Sequence, residues 1–169
     1  MKLILDYMTE EIGEHHSRAF VDSAPIMEKA WANEAGLGWM GKNTNIINPN
    51  NGSFFFISVI LTDLVFDHSA GRIEDICKGC KRCIQACPTG ALDQPYQIDA
   101  RKCISYLTIE LKNNIPSEFK GMMEQWIFGC DICQDVCPWN RYSRPHSEPK
   151  FDPNSLLLSM MKEDWKSLN

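Results

Sequence analysis

Residues 77–88 read CKGCKRCIQACP. Four cysteines stand there at spacings of two, two and three residues, and a proline follows the last. Thiolates are soft ligands that suit iron in a cluster or zinc. The pattern C-x2-C-x2-C-x3-C-P is a [4Fe–4S] run, in which three cysteines wrap one cluster and the fourth reaches a second. A zinc ribbon separates its C-x2-C pairs by a long spacer, so the unbroken run favours iron–sulfur chemistry.

A second run, Cys130-Asp-Ile-Cys133-Gln-Asp-Val-Cys137-Pro138, has the x2 and x3 spacings and the proline. A full run would also need a cysteine at 127, where Ile127 stands. The chain has eight cysteines, and the one left over is Cys103. The simplest accounting crosses the runs. One cluster takes Cys77, Cys80, Cys83 and Cys137, and the other takes Cys87, Cys103, Cys130 and Cys133. No cysteine is then spare, so two [4Fe–4S] clusters are expected.

An even cysteine count also suits a disulfide scaffold in a secreted protein. The N-terminus MKLILDYMTEEIGEHH lacks an apolar signal core, so a cytoplasmic location is expected. The longest apolar run, around residues 54–61, is strand-sized, so no membrane partner is expected. With 169 residues the chain suits one domain or two small ones. A net charge of −5 argues against strong nonspecific nucleic-acid binding. Local basic residues do gather in sequence near the cysteines, at Lys78, Lys81, Arg82, Arg101 and Lys102, and again at Arg141, Arg144 and His146.

Ahead of the cysteines, the pattern predicts a helix over 3–14. A second helix is expected to open at Asp22 or Ser23 as N-cap, with Pro25 in its first turn, and to stop at Gly36. Three glycines in the segment 36–41 permit close backbone approach. Residues 45–48 and 53–62 read as two strands of a hairpin, turning at Asn50-Asn51-Gly52. Residues 155–165 read as a final amphipathic helix.

The blocks VDSAP (21–25), EKAWA (28–32), AGLGWMGKNT (35–44), ILTD (60–63), CISYLTIE (103–110) and FGCDICQDVCPWN (128–140) resemble the epoxyqueuosine reductases. The resemblance runs through almost the whole chain from about Arg18. It implies reduction of epoxyqueuosine to queuosine at the wobble position of tRNA. Electrons would pass through two [4Fe–4S] clusters to cobalamin, with the cluster ligands crossed as above. An external donor such as a flavodoxin, ferredoxin or reductase would supply them. Asp22 matches the family's proposed proton-donating acid, and Asp22, Lys42, Asn43, Thr44, Ile46 and Ile57 would contact cobalamin.

The implied fold class is α+β. Residues 1–70 would be a partial α/β cobalamin-domain remnant, a helix plus a β-hairpin. Residues 71–145 would form a mostly helical, ferredoxin-like two-cluster domain, and 146–169 a linker with the start of a helical extension. The family's cobalamin domain begins well before the VDSAP block. A truncated N-terminus is therefore expected, with a missing segment or chain completing the pocket. The competing expectation is a stand-alone two-cluster electron carrier.

Overall fold

The computed structural model describes residues 1–67, 71–161, 163–164 and 167. It combines short helices with two small antiparallel ribbons. Helix α1 (Lys2–Ile12) leads into β1 (Ser17–Phe20), and α2 (Glu28–Glu34) follows. Strands β2 (Trp39–Met40) and β3 (Ile46–Ile47) form one ribbon. Strand β4 (Val59–Thr62) returns to pair with β1. The cysteine-bearing half holds α3 (Arg82–Ala86), α4 (Ile104–Ile109) and α5 (Ile132–Asp135), joined by 3₁₀ turns. A last short helix, α6, spans Ser155–Ser159.

The β1–β4 register sets Ser17 against Thr62 and Phe20 against Val59. The Ser17 hydroxyl donates to Thr62 Oγ1 at 2.8 Å. Beyond them, Asp63 closes the ribbon by accepting from the His16 backbone N–H at 3.0 Å and pairing with the His16 ring at 2.9 Å. The other end of the ribbon, past the Phe20–Val59 pair, releases Asp22 on one strand and Ile57 on the other.

The β2–β3 ribbon pairs Trp39 with Ile47 and Met40 with Ile46. Its glycines have a steric reason. A Cβ on Gly38 would sit 2.3 Å from the Ile47 carbonyl oxygen, and one on Gly41 would sit 2.5 Å from Ile47 Cδ1. Of the two large side chains between the glycines, Trp39 turns inward and Met40 is half-buried. Trp39 is 1% exposed, and Ile46 and Ile47 are as deeply buried. The rest of the core among the described residues comes from Phe20, Ala32, Ala91, Leu92, Ile104, Leu107 and Phe119. Helix α1 buries no side chain.

Four sequence expectations are corrected. The second helix begins at Glu28, not at Asp22 or Ser23. The intervening backbone is spent on tight turns. Ile26 N–H donates to the Ala24 carbonyl, Val21 N–H donates to Ser23 Oγ, and Asp22 takes a left-handed φ of 49°. The 45–48 strand pairs with Trp39–Met40 rather than with residues after the turn, and only an Asn48–Gly52 bridge remains of the expected hairpin. The strand expected over 53–62 is confined to Val59–Thr62. Ser53 is tied elsewhere, to Asn140 and Gln134, and Phe55 N–H turns back to the Ser53 carbonyl. The final helix ends at Ser159, and residues 162 and 165 of its expected span lie outside the described residues. Among the described residues, no helix is long and apolar enough to cross a membrane.

Candidate metal centres

The two runs fold alike. In each, a loop cysteine leads into a short helix, and the helix ends at a Cys–Pro pair. Proline disfavours helical ψ in the residue before it. Cys87 and Cys137 accordingly take extended backbone, with ψ of 112° and 120°. Each leaves its own helix there, and α3 packs against α5. The last cysteine of each run thus swings toward the other run.

Cys103 comes from a separate place. It occupies the N-cap position of α4, after a 3₁₀ turn whose Asp99 carboxylate accepts from the Arg101 N–H. Ile104 and Leu107, one turn apart, bury one face of that helix. On another face, Thr108 Oγ1 accepts from the Gly129 N–H at 3.0 Å. That bond holds α4 beside the residue before Cys130.

The result is a partition of the eight cysteines. One cavity, about 110 Å³, is lined by Cys77, Cys80, Cys83 and Cys137 together with Lys42 and Trp139. Another, about 40 Å³, is lined by Cys87, Cys103, Cys130 and Cys133 together with Ile98 and Ile104. Both are far smaller than the few hundred Å³ of an organic ligand pocket. The thiols sense the same grouping. Burial pushes the Cys83 thiol up, and Cys77, Cys137 and Cys80 push it further. Burial also raises the Cys130 thiol, with Cys103, Asp131 and Cys87 adding to it. Cys133, the most desolvated, is pushed up to about 12, first by burial and then by Cys130, Cys103, Cys83 and Cys87. Helix α3 of one run packs against α5 of the other, so the two cavities adjoin.

All eight cysteines are free and half-buried. Among the described residues, no three His, Cys, Asp or Glu side chains converge on one ion. Zinc would draw four sulfurs to about 2.3 Å from a single ion. A cubane spreads its four thiolates over four irons, so it accommodates wider spacing.

The first cavity has a polar wall. The Trp39 indole N–H donates to Cys77 Sγ at 3.4 Å, and the ring meets Trp139 edge-on at 5.0 Å. Lys42 is 7% exposed, and its ammonium donates to the carbonyls of Lys78 and Cys80, the latter at 3.0 Å. Asn43 donates to the Cys133 carbonyl at 3.3 Å. Asp75 accepts from the Cys77 N–H at 2.7 Å and from the Tyr96 hydroxyl. The second cavity has an apolar wall, and the Thr89 hydroxyl lies 3.7 Å from Cys87 Sγ.

The six residues expected at cobalamin do not share a cavity. Lys42 and Asn43 line the first thiol cavity, and Ile46 is buried in the core. Asp22 is exposed and Thr44 half-buried, both with left-handed φ. Ile57 lines an open cleft of about 450 Å³, with Leu37, Asn48 and Arg144. The sequence reading missed Trp39 as a partner of a cysteine. The clue was its place between the crowded glycines of GLGWMG.

Comparison with known proteins follows this geometry. Residues 76–140 match the 4Fe-4S double cluster binding domain. An epoxyqueuosine reductase of Cellulophaga algicola is 54% identical over 99% of this chain and 55% of its own length. This chain belongs to the epoxyqueuosine reductase family. It spans about half the length of the curated relatives it matches. An epoxyqueuosine reductase solved with a tRNA-Tyr epoxyqueuosine-modified stem loop is 33% identical, with a TM-score of 0.84 over 98% of this chain and 45% of that one. The Bacillus subtilis enzyme, solved with a catalytic aspartate loop swung out of its active site, is 32% identical with a TM-score of 0.83, over 98% of this chain and 45% of that one. The mixed helices and small sheets match the epoxyqueuosine reductase fold. The similarity extends well beyond the 76–140 cluster segment, so a stand-alone electron carrier is not favoured.

Proposed function

We infer that this chain holds two [4Fe–4S] clusters, one on Cys77, Cys80, Cys83 and Cys137 and one on Cys87, Cys103, Cys130 and Cys133. It serves in the reduction of epoxyqueuosine to queuosine at the wobble position of tRNA in the cytosol. The observation that carries this reading is the crossed four-and-four partition of the cysteines between two adjoining cavities. Family membership supplies the substrate. Residues 76–140 are the cluster-bearing part, and an external low-potential protein delivers electrons to it.

The described residues fit part of a cobalamin site. Asp22 and Ile57 leave the same end of the β1–β4 ribbon, and Ile57 lines an open cleft. Thr44 lies on a turn held by Lys29, which donates to its carbonyl at 3.0 Å. Asp22, Thr44 and Ile57 would face the cofactor from the surface, and Lys42, Asn43 and Ile46, which also line the first cavity or the core, would meet it from that side. Cobalamin bound there would supply a low-potential metal centre for removing the epoxide oxygen. Asp22, exposed on its turn, would give the proton that lets the oxygen leave as water. A catalytic aspartate loop that swings in the B. subtilis enzyme supports a mobile role for the 21–27 turn.

The test is anaerobic reconstitution followed by assay on tRNA carrying epoxyqueuosine, with cobalamin and a strong reductant. About eight irons are expected per chain. Asp22→Asn is expected to keep that iron and to lose product queuosine. Four irons or fewer would sink the two-cluster assignment, and unchanged queuosine in Asp22→Asn would remove Asp22 from the chemistry.

A further inference from the structure

The two cysteine cavities present different surroundings to whatever they hold. Around the first, Trp39 directs an N–H at a ligand sulfur from 3.4 Å. The Lys42 ammonium is also built into that wall, 7% exposed and fixed by two carbonyls of the cysteine loop. Around the second, the lining side chains are largely aliphatic, the nearest hydroxyl is 3.7 Å from a sulfur, and the nearby lysine, Lys29, is an exposed residue outside the wall. The anions are balanced, with Asp75 beside Cys77 and Asp131 beside Cys130. They do not cancel the difference.

An iron–sulfur cluster gains one negative charge when it takes up an electron, and hydrogen bonds to sulfur, net charge and solvent exposure set its potential. Donors and a nearby cation stabilise the added charge, whereas an apolar wall does not.

We propose that Lys42 and Trp39 make the cluster on Cys77, Cys80, Cys83 and Cys137 the more easily reduced of the two, so that an electron entering the pair rests there first. Lys42 and Trp39 are positioning residues on this view, acting through the cysteine ligands and the loop that carries them. One electron from a low-potential donor is added, and no bond is made or broken. The proposal rests on the two-cluster reading above and adds an order to it.

The experiment is an anaerobic redox titration of the reconstituted full chain with dithionite, followed by low-temperature electron paramagnetic resonance. Wild type is expected to reduce in two separated one-electron steps. Trp39→Phe removes the N–H and keeps a ring against Trp139; it is expected to lower the upper step. Lys42→Met is expected to lower it more, by about tenfold in the reduction equilibrium, or ~59 mV for one electron. The lower step should stay in place in both variants. Iron content separates the two readings. With about eight irons bound, an upper step unmoved in both variants overturns the proposal and leaves the two-cluster reading intact. A single unresolved step in wild type, or movement of the lower step alone, overturns it as well. If Lys42→Met loads only one cluster, Trp39→Phe decides.

Discussion

The two cavities differ in where their walls come from. Every residue lining the second lies between Cys87 and Cys133. The first draws on both halves of the chain: Lys42, Asn43 and Ile47 come from the β2–β3 ribbon, and the cysteines and Trp139 come from the cluster segment. The second cavity is therefore a local product of the cysteine segment. The first is a joint between that segment and the chain ahead of it, clamped by Lys42 on the carbonyls of Lys78 and Cys80 and by Asn43 on the carbonyl of Cys133. Damage to the N-terminal half should show mainly in the first cavity, with a smaller effect on the second through the Asn43–Cys133 bond.

The largest expected effects come from the cysteines that cross between runs. Cys137→Ala should abolish the cluster on Cys77, Cys80 and Cys83, although Cys137 belongs to the second run. Cys87→Ala should abolish the other one. Each should bring iron from about eight to about four. The surviving spectrum of Cys137→Ala should match that of Cys80→Ala and not that of Cys133→Ala. A match to Cys133→Ala would break the comparison at its root.

Gly38→Ala comes next. Its Cβ would press to 2.3 Å on a backbone oxygen of Ile47, which has no flexible end to yield. Overpacking of this kind costs about 1–3 kcal/mol. Denaturant unfolding should register it, and iron loss should be greater from the first cavity than from the second. Equal loss from both would show that the second cavity depends on the ribbon as much as the first.

Asn140 tests the same joint from the other side. Its amide donates to the Gln134 carbonyl at 2.7 Å and accepts from the Ser53 N–H at 2.6 Å. Asn140→Leu would leave the Ser53 N–H without its acceptor, whereas the Gln134 carbonyl keeps the Cys137 N–H, so the cost is about 1–3 kcal/mol for one buried group. Thermal unfolding should fall accordingly, with iron largely retained. A fall no larger than that of an exposed surface change would mean that the joint is carried by Lys42 and Asn43 alone.

The contrast also follows what the sequence made legible. The second cavity could be read almost entirely from spacing. Cys–Pro pairs dictate an extended backbone locally, and counting alone assigned Cys103. The first cavity could be read only for its cysteines. Nothing in a local pattern says that Lys42 will reach the carbonyls of Lys78 and Cys80, which lie more than thirty residues on. The resemblance places Lys42 and Asn43 at cobalamin, and it gave no sign that both also line the first cysteine cavity. Strand pairing failed in the same way. The apolar run at 53–62 suggests a strand but does not name its partner, and β1 lies some forty residues upstream. At Asp22 a correct local signal was outcompeted. The cap residues and proline are present, but turn hydrogen bonds occupy the backbone until Glu28.

The smallest effect is expected at Lys29, and it sharpens the comparison most finely. This lysine is the second cavity's counterpart to Lys42. Desolvation lowers its pKa, and the nearby Cys133 and Cys103 partly offset that. Its ammonium donates to the Thr44 carbonyl and to Asn45 Oδ1, both at 3.0 Å, but the residue as a whole is exposed and is not part of the cavity wall. Salt screens exposed charges over about 8 Å at physiological ionic strength, and buried ones much less. Lys29→Met should therefore lower the second step only slightly, and added salt should shrink that shift. The Lys42→Met shift of the upper step should persist in the same salt. Equal and equally salt-resistant shifts would mean that each cluster has its own buried cation, and the difference in potential would have to come from Trp39 alone.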